Sequence, residues 1–342
     1  MGELNGLYAT PVSMMPRVQL TFDSDGDEFD YVVVGAGAAG SAVPGATFSF
    51  AGTSMDWNYD TVPNNKSCLG SKNQRCRFTR GRCLGGSTSI NYMMYTRGNR
   101  QDYDFNMTGW TWKDIEPYFL RFEGLEDLKR LPKSSQSYHN TSGINSGNPW
   151  HERIIEGMES LNFPYNPDVN AQSQIGHSAY INVSPVVLRP KSQGWVRLSS
   201  SNPLAPPSII PNYLADDSDV QEIIRSIKII KDTLETPVYK KYNASIQMLR
   251  LRGCPEFDTD GYWECYVRHT AHSAQHAVGT AALGRVLDER LRVKGIKSLR
   301  VADASALPLL PRGNTAAAII ALGERLSDFL LQDKYTAFRI QK

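Results

Sequence analysis

The sequence predicts an α/β fold, on three observations. The apolar run "YVVV" at 31–34 leads into Gly35, Gly37 and Gly40, the G-x-G-x-x-G spacing of a strand–turn–helix unit whose backbone cradles a phosphate. Residues 216–239 place Val220, Ile223, Ile224, Ile227, Ile230 and Leu234 on one helical face, with acids at the start. "SLRVADAS" at 298–305 reads as a strand, and a Pro/Gly loop separates it from a helix over 315–331.

The other elements follow in order. Residues 1–28 form a tail that ends in the acidic "DSDGDE", and 29–34 is a buried strand feeding the glycine turn. The helix behind that turn is cut at Pro44-Gly45, because a proline lacks the N–H and costs about 3 kcal/mol inside a helix. Residues 46–80 are rich in Asn, Ser, Gly and Lys and read as extended loop, and 81–95 is small and apolar. A helix over 112–123 places Ile115, Phe119 and Phe122 on one face. A polar linker spans 127–150, a short helix 151–161, and "GWVRLSS" and "PSIIPNYL" give short strands between prolines. There is no internal repeat.

Composition narrows the function. A chain of 342 residues has room for roughly two domains. The longest apolar run, 316–322, is far short of the ~18 residues of a membrane span. A net charge of +2 with mixed signs gives no field for nucleic acid. The five cysteines include no C-x-x-C pair. Cys68/Cys76 and Cys254/Cys265 are close pairs in turn-rich sequence that can form two bridges, leaving Cys83 free. Five N-x-S/T sequons begin at Asn65, Asn106, Asn140, Asn182 and Asn243, which together with pairable cysteines favours a secreted glycoprotein. Against this, the first twenty residues show neither a basic n-region nor an apolar h-region.

"GRCLGGSTSINYMMYTRGNRQDYD" (81–104) is more specific than any glycine turn. It resembles the first signature of the glucose–methanol–choline family of flavin-dependent oxidoreductases, at Gly81, Arg82, Leu84, Gly85, Gly86, Ser87, Thr88, Ile90, Asn91, Tyr95, Gly98 and Asp104. "QHAVGT" (275–280), "GIKSLRVADASALP" and "RGNTAAAIIALGERLSDFLL" are similar to the family's C-terminal block. "SMDWNY" and "DIEPYFLRFE" are similar to its insect members, which include glucose dehydrogenases and ecdysteroid oxidases.

The resemblance implies an FAD-binding Rossmann-like domain beside a truncated antiparallel-sheet substrate domain. The first part would be 29–165. The second, 186–332, would hold a substrate-domain remnant (186–265) and a return to the FAD domain (266–332). It also implies internal deletions. Between Val43 and Pro44 the family has the rest of the first helix and a second strand ending in a ribose-binding acid, and near 185–188 it has a long middle section. Asp56 and Asp60 stand at about the right count for that acid, but in loop sequence.

The implied chemistry is oxidation of a CH–OH group of a sugar, alcohol or sterol, with oxygen or quinone as final acceptor. His276 would be the base, a group that titrates near neutral pH. Asn314 would hold the same hydroxyl without competing for its proton. The resemblance places Gly35, Gly37, Ala38, Ala39 and Gly40 at the pyrophosphate, with Asp303 and Ala304 against the ribityl–pyrophosphate section. Gly85, Gly86, Ser87, Asn91 and Met94 would line the flavin, and the helix beginning near Thr315 would aim its positive end at the ring. Three other readings stand beside this one. His269, His272 and His276 form an H-x2-H-x3-H face, but no carboxylate or cysteine of metal-like spacing accompanies it, so no metal is expected. An NAD-binding Rossmann protein would not explain 81–104. A catalytically inactive family fragment, persisting as a secreted binding or structural protein, is the rival from another class.

Overall fold

The computed structural model describes residues 33–35, 37, 52–83, 85–91, 95–122, 150–162, 184–241 and 250–340. Residues from Gly35 to Lys342 form one compact unit. Its described helices are α1 (Trp112–Phe122), α2 (Trp150–Glu159), α3 (Asp217–Leu234), α4 (Pro237–Lys240), α5 (Asp260–Thr270) and α6 (Ala316–Ile340). The strands form two antiparallel pairs, β1 (Tyr59–Asp60) with β2 (Arg77–Phe78) and β3 (Trp195–Arg197) with β4 (Ser208–Ile210). In the second pair Trp195 stands opposite Ile210 and Arg197 opposite Ser208.

α3 forms where the apolar period predicts it. Asp216 caps it by accepting from the Ser218 N–H, and Asp217 and Asp219 favour its positive end. It is shorter than the period suggests, because Pro237 disfavours helical backbone at Thr236 and then opens α4 at its first position. Val220, Ile224 and Ile227 of α3 pack on Tyr262, Trp263 and Val267 of α5 in one core cluster.

A second cluster joins α1 to α6. Trp110, Ile115 and Phe119 meet Ala317, Ala318, Ala321 and Leu322, together with Leu283, Leu287 and Leu307 from the intervening loops. Burying each large side chain contributes about 1.5–3 kcal/mol. Arg325 of α6 lies over the Trp110 ring at 4.3 Å and donates to the Asp114 carbonyl at 2.9 Å. Arg121 grips Asp328 through two bonds of 2.9 and 3.0 Å. α6 is thereby fixed from its second turn onward, which matters because its first residues border the candidate site.

Two expectations change. Val33 and Val34, read as the end of a buried strand, are 72% and 96% exposed and pair with nothing that makes a strand. The 298–305 segment is no regular strand. It folds back on 291–293 through Val293 N–H to Leu299 O and Val301 N–H to Leu291 O, then turns into a short 3-10 helix at Ala304–Ala306. Among the described residues no long strand lies beside 298–305 to complete a ladder, and an apolar run alone cannot make one. The multi-stranded parallel sheet of a Rossmann unit is therefore not present among the described residues. The tail at 1–28, Pro44-Gly45 and most of the 127–150 linker lie outside them.

The disulfide pairing holds. Cys68 bonds to Cys76, Cys254 bonds to Cys265, and Cys83 is free. Cys265 sits on α5, so its bridge ties that helix to the preceding loop. Titrating the denatured, unreduced chain should find one thiol per chain; finding five would refute both bridges.

Candidate active site

Two glycine segments meet at one end of the site. Gly85 and Gly86 have φ of 89° and 55°, a left-handed conformation that glycine adopts without strain. The turn folds back tightly: Ser87 Oγ accepts from the Gly81 N–H at 3.1 Å, and a Cβ on Gly81 would fall 2.1 Å from the Gly86 carbonyl oxygen. A Cβ on Gly86 would come within 3.1 Å of Gly37 Cα, so the fingerprint turn abuts this second turn. Among the described residues nothing lies within 4 Å of a Cβ added at Gly35 or Gly37.

At the other end His276 and Asn314, from segments 38 residues apart, bring Asn314 Nδ2 to 3.4 Å from His276 Nε2. With the ring proton on Nδ1, the amide donates to Nε2 and the imidazole lone pair faces it. His276 is half-buried. Burial, followed by the charge of Arg80, holds its pKa below the ordinary 6.5. α6 begins at Ala316, so Asn314 lies one residue outside the capping position, which Thr315 occupies. Thr315 is buried there.

The loop that carries Asn314 is held by Asp102. This fully buried carboxylate accepts from Arg312 Nη1 at 2.7 Å, the Arg312 N–H at 2.6 Å, Arg189 Nη2 at 2.7 Å and the Asn99 N–H at 2.9 Å. Asp102 also completes a capping box with Asn99 at the start of Arg100–Tyr103.

The remaining predicted residues fall around these groups. The chain after His276 runs beside Asp303 and Ala304, with Gly279 N–H to Ala304 O, Ala281 N–H to Ser305 O and Leu283 N–H to Ala306 O. Asp303 itself is exposed and caps its own short helix by accepting from the Ser305 N–H at 2.9 Å. Asn91 closes the 3-10 helix Gly86–Ile90. Ala38, Ala39, Gly40 and Met94 lie outside the described residues. Asp56 is spoken for: buried, it accepts from the backbone N–H groups of Gly52, Asn58 and Arg80. Asp60 is exposed and pairs with Arg77 at 3.2 Å. The Asp56 carboxylate is therefore not free to hold a ribose.

His269, His272 and His276 do not share a helix face, because α5 ends at Thr270. His269 lies instead beside Cys254 and Cys265, whose sulfurs are joined to each other. Sequence reasoning missed Arg80, Asp102, Arg189, Arg312 and Gln275. The one available signal for Arg80 was its place immediately before the glycine-rich signature at 81–104.

The glycine turns at 35–37 and 81–86 thus pack on each other, and His276 and Asn314 approach each other through Nε2 and Nδ2. The chain belongs to the GMC oxidoreductase family, whose N-terminal model matches residues 29–188 and whose C-terminal model matches 190–323. It is similar to the glucose dehydrogenase (FAD, quinone) of Drosophila melanogaster, at 23% identity over 548 aligned positions covering 90% of this chain and 88% of the relative. Since 548 positions exceed the 342 residues present, a long stretch of that relative has no counterpart here. The ecdysone oxidase of Bombyx mori is 35% identical over 159 residues, 46% of this chain and 24% of the relative. Among solved structures, formate oxidase of Aspergillus oryzae matches with a TM-score of 0.60 at 15% identity, covering 91% of this chain and 99% of that one. Pyridoxine 4-oxidase from Mesorbium loti matches with a TM-score of 0.54 at 15% identity, covering 82% and 89%. These two show the α/β FAD-binding fold.

The family is FAD-dependent. The residues present fit that cofactor unevenly. The glycine backbone at Gly35 and Gly37 suits a pyrophosphate, and the His276–Asn314 pair suits the reacting end. At the adenosine ribose, Asp56, one of the two carboxylates of about the right sequence spacing, is committed to its own loop. No described helix is long and apolar enough to cross a membrane.

Two outcomes are expected. Replacing Asp102 by Ala leaves Arg189 and Arg312 without their partner, and should lower the unfolding free energy by about 3 kcal/mol in denaturant melts. Because His276 resists protonation when folded, the unfolded chain binds more protons below pH 6.5. The contribution of His276 to stability should therefore be complete above that value and decline as pH falls towards the folded pKa. A His276→Asn variant should flatten that part of the stability–pH curve.

Proposed function

We propose that this chain is an oxidoreductase acting on the CH–OH group of a sugar, alcohol or sterol, with His276 as base and Asn314 as its hydroxyl-holding companion. The observation that carries the reading is the approach of Asn314 Nδ2 to His276 Nε2 at 3.4 Å. A donor hydroxyl placed between them would give its proton to Nε2 while the amide fixed its oxygen. FAD, when bound, supplies the two-electron acceptor for the carbinol hydride, and oxygen or quinone restores it. The chain's own part is to bind, orient and take the proton. Gly35, Gly37, Gly85 and Gly86 would hold the cofactor backbone-first, and the positive end of α6 would favour negative charge at the ring by about 0.3–1 kcal/mol.

Residues 29–165 would supply the first part of the cofactor site and 186–332 the rest. An extracellular, glycosylated location is proposed with it, supported by the two disulfides and the exposed sequon residues Asn65 and Asn106. The inactive-homologue reading is favoured by one observation, the commitment of Asp56 to its own loop. A missing charge-assisted bond to the ribose costs about 1.5–3 kcal/mol, or one to two powers of ten in affinity.

FAD titration followed by anaerobic mixing with CH–OH donors tests both. Binding at least about a hundredfold weaker than in a full-length relative is expected. At saturating FAD, His276→Ala should slow bleaching of the flavin absorbance by about 10²–10⁴-fold. Stoichiometric, tightly held FAD would overturn the impairment, and bleaching unchanged by His276→Ala would remove that residue as base.

A further inference from the structure

The residue before His276 is held in a conformation it does not prefer. Gln275 has φ of 66°, in the left-handed region that side-chain-bearing residues rarely adopt. Such residues cost about 1–3 kcal/mol and persist where the surroundings over-determine them. Here Ser273 Oγ accepts from the Gln275 N–H at 2.9 Å, and Gln275 Nε2 donates to the Arg77 carbonyl at 3.2 Å. The third restraint comes from 195 residues away. Arg80 Nη1 donates to the Gln275 carbonyl at 3.1 Å and reaches its Oε1 at 3.5 Å.

Arg80 is itself well fixed. Its guanidinium lies over the Phe78 ring at 4.2 Å, and Nη1 also donates to the Thr79 carbonyl at 2.7 Å. Its backbone N–H donates to Asp56 Oδ1 at 3.1 Å. The bonds that its guanidinium makes among the described residues go to neutral oxygens, so no carboxylate is paired with its charge. A planar fork can bridge carbonyls in this way where a lysine cannot.

We propose that Arg80 is a positioning residue for His276: its guanidinium locks the left-handed turn at Gln275 that presents the imidazole to Asn314. The proposal rests on the reading of His276 as base. A base is useful only while neutral, and the two causes that hold His276 neutral are burial and then Arg80. Around the pair, Asp56 and Tyr213 are the groups that act on Arg80. Burial pushes the Tyr213 phenol up, which leaves it uncharged near neutral pH, and Asn314 carries no charge.

The test is an imidazole NMR titration of the whole chain without cofactor, with the His276 resonance assigned by its loss in His276→Asn. Arg80→Gln keeps a donor and removes the charge, and should raise the His276 midpoint. Arg80→Lys should return it to the wild-type value. Gln275→Gly and Gln275→Ala both lose the side-chain bonds, but only glycine adopts this backbone freely, so Gln275→Gly should melt higher than Gln275→Ala with the midpoint unchanged. In the Gln275→Gly background the turn no longer needs the guanidinium, so the charge is read in a folded chain even where Arg80→Gln alone does not fold. An unmoved midpoint in Arg80→Gln on that background overturns the electrostatic role, and a Gln275→Gly that melts no higher than Gln275→Ala overturns the strained turn. These readouts need neither flavin nor donor, so this proposal and the oxidoreductase reading can fail separately.

Discussion

The Asp102 carboxylate is the constraint on which the rest of the site depends. It is fully buried, and an ionised carboxylate in that position is tolerable only if its lone pairs are met. Two guanidinium groups and two backbone N–H groups meet them. Those donors come from 97–104, from the junction at Arg189 and from the loop before α6. One desolvated charge thus ties three distant parts of the chain together, and one of them carries Asn314. A purely apolar contact would have no comparable directionality, so the register of the loop would be less defined.

Around that anchor His276 and Asn314 are brought together, whereas Asp56 is committed to its own loop. The His276–Asn314 approach is supported by hydrogen bonds between 279–283 and 304–306 and by the packing of α6 on α1. The glycine turn at 35–37 rests on Gly86, yet Val33 and Val34 find no sheet. Apolar exposure recurs at Trp195, Val196, Leu198 and Leu204, on and beside the β3–β4 pair. Both places border the expected deletions, and the 548-position alignment agrees that substantial sequence is lacking between shared flanks.

Ion pairs anchor the loop that carries Asn314, while His276 is held below its ordinary pKa by burial and then by the charge of Arg80. Asp56, which sequence spacing offers as a ribose ligand, instead closes its own loop through three N–H groups. The same residue type therefore serves structure in one location and would serve chemistry in another. Its neighbours decide which.

Short-range patterns in the sequence were enough to determine α1, α3 and α6, because each carries an apolar stripe at helical spacing and a recognisable start. The two disulfides were also legible, since close cysteine pairs in turn-rich sequence have few alternatives. His276 and Asn314 were legible as candidates through signature residues that local composition cannot imitate. The absence of regular strands at Val34 and at 298–305 was not, because a strand exists only with a neighbour to complete its ladder. Nor were the roles of Asp102, Arg189, Arg312, Arg80 and Gln275. Their partners lie up to 210 residues away, and a hydrogen bond across that separation leaves no period or spacing in the sequence. Only the tertiary structure decided which charges were buried together, and burial is what turns an ordinary surface residue into an anchor.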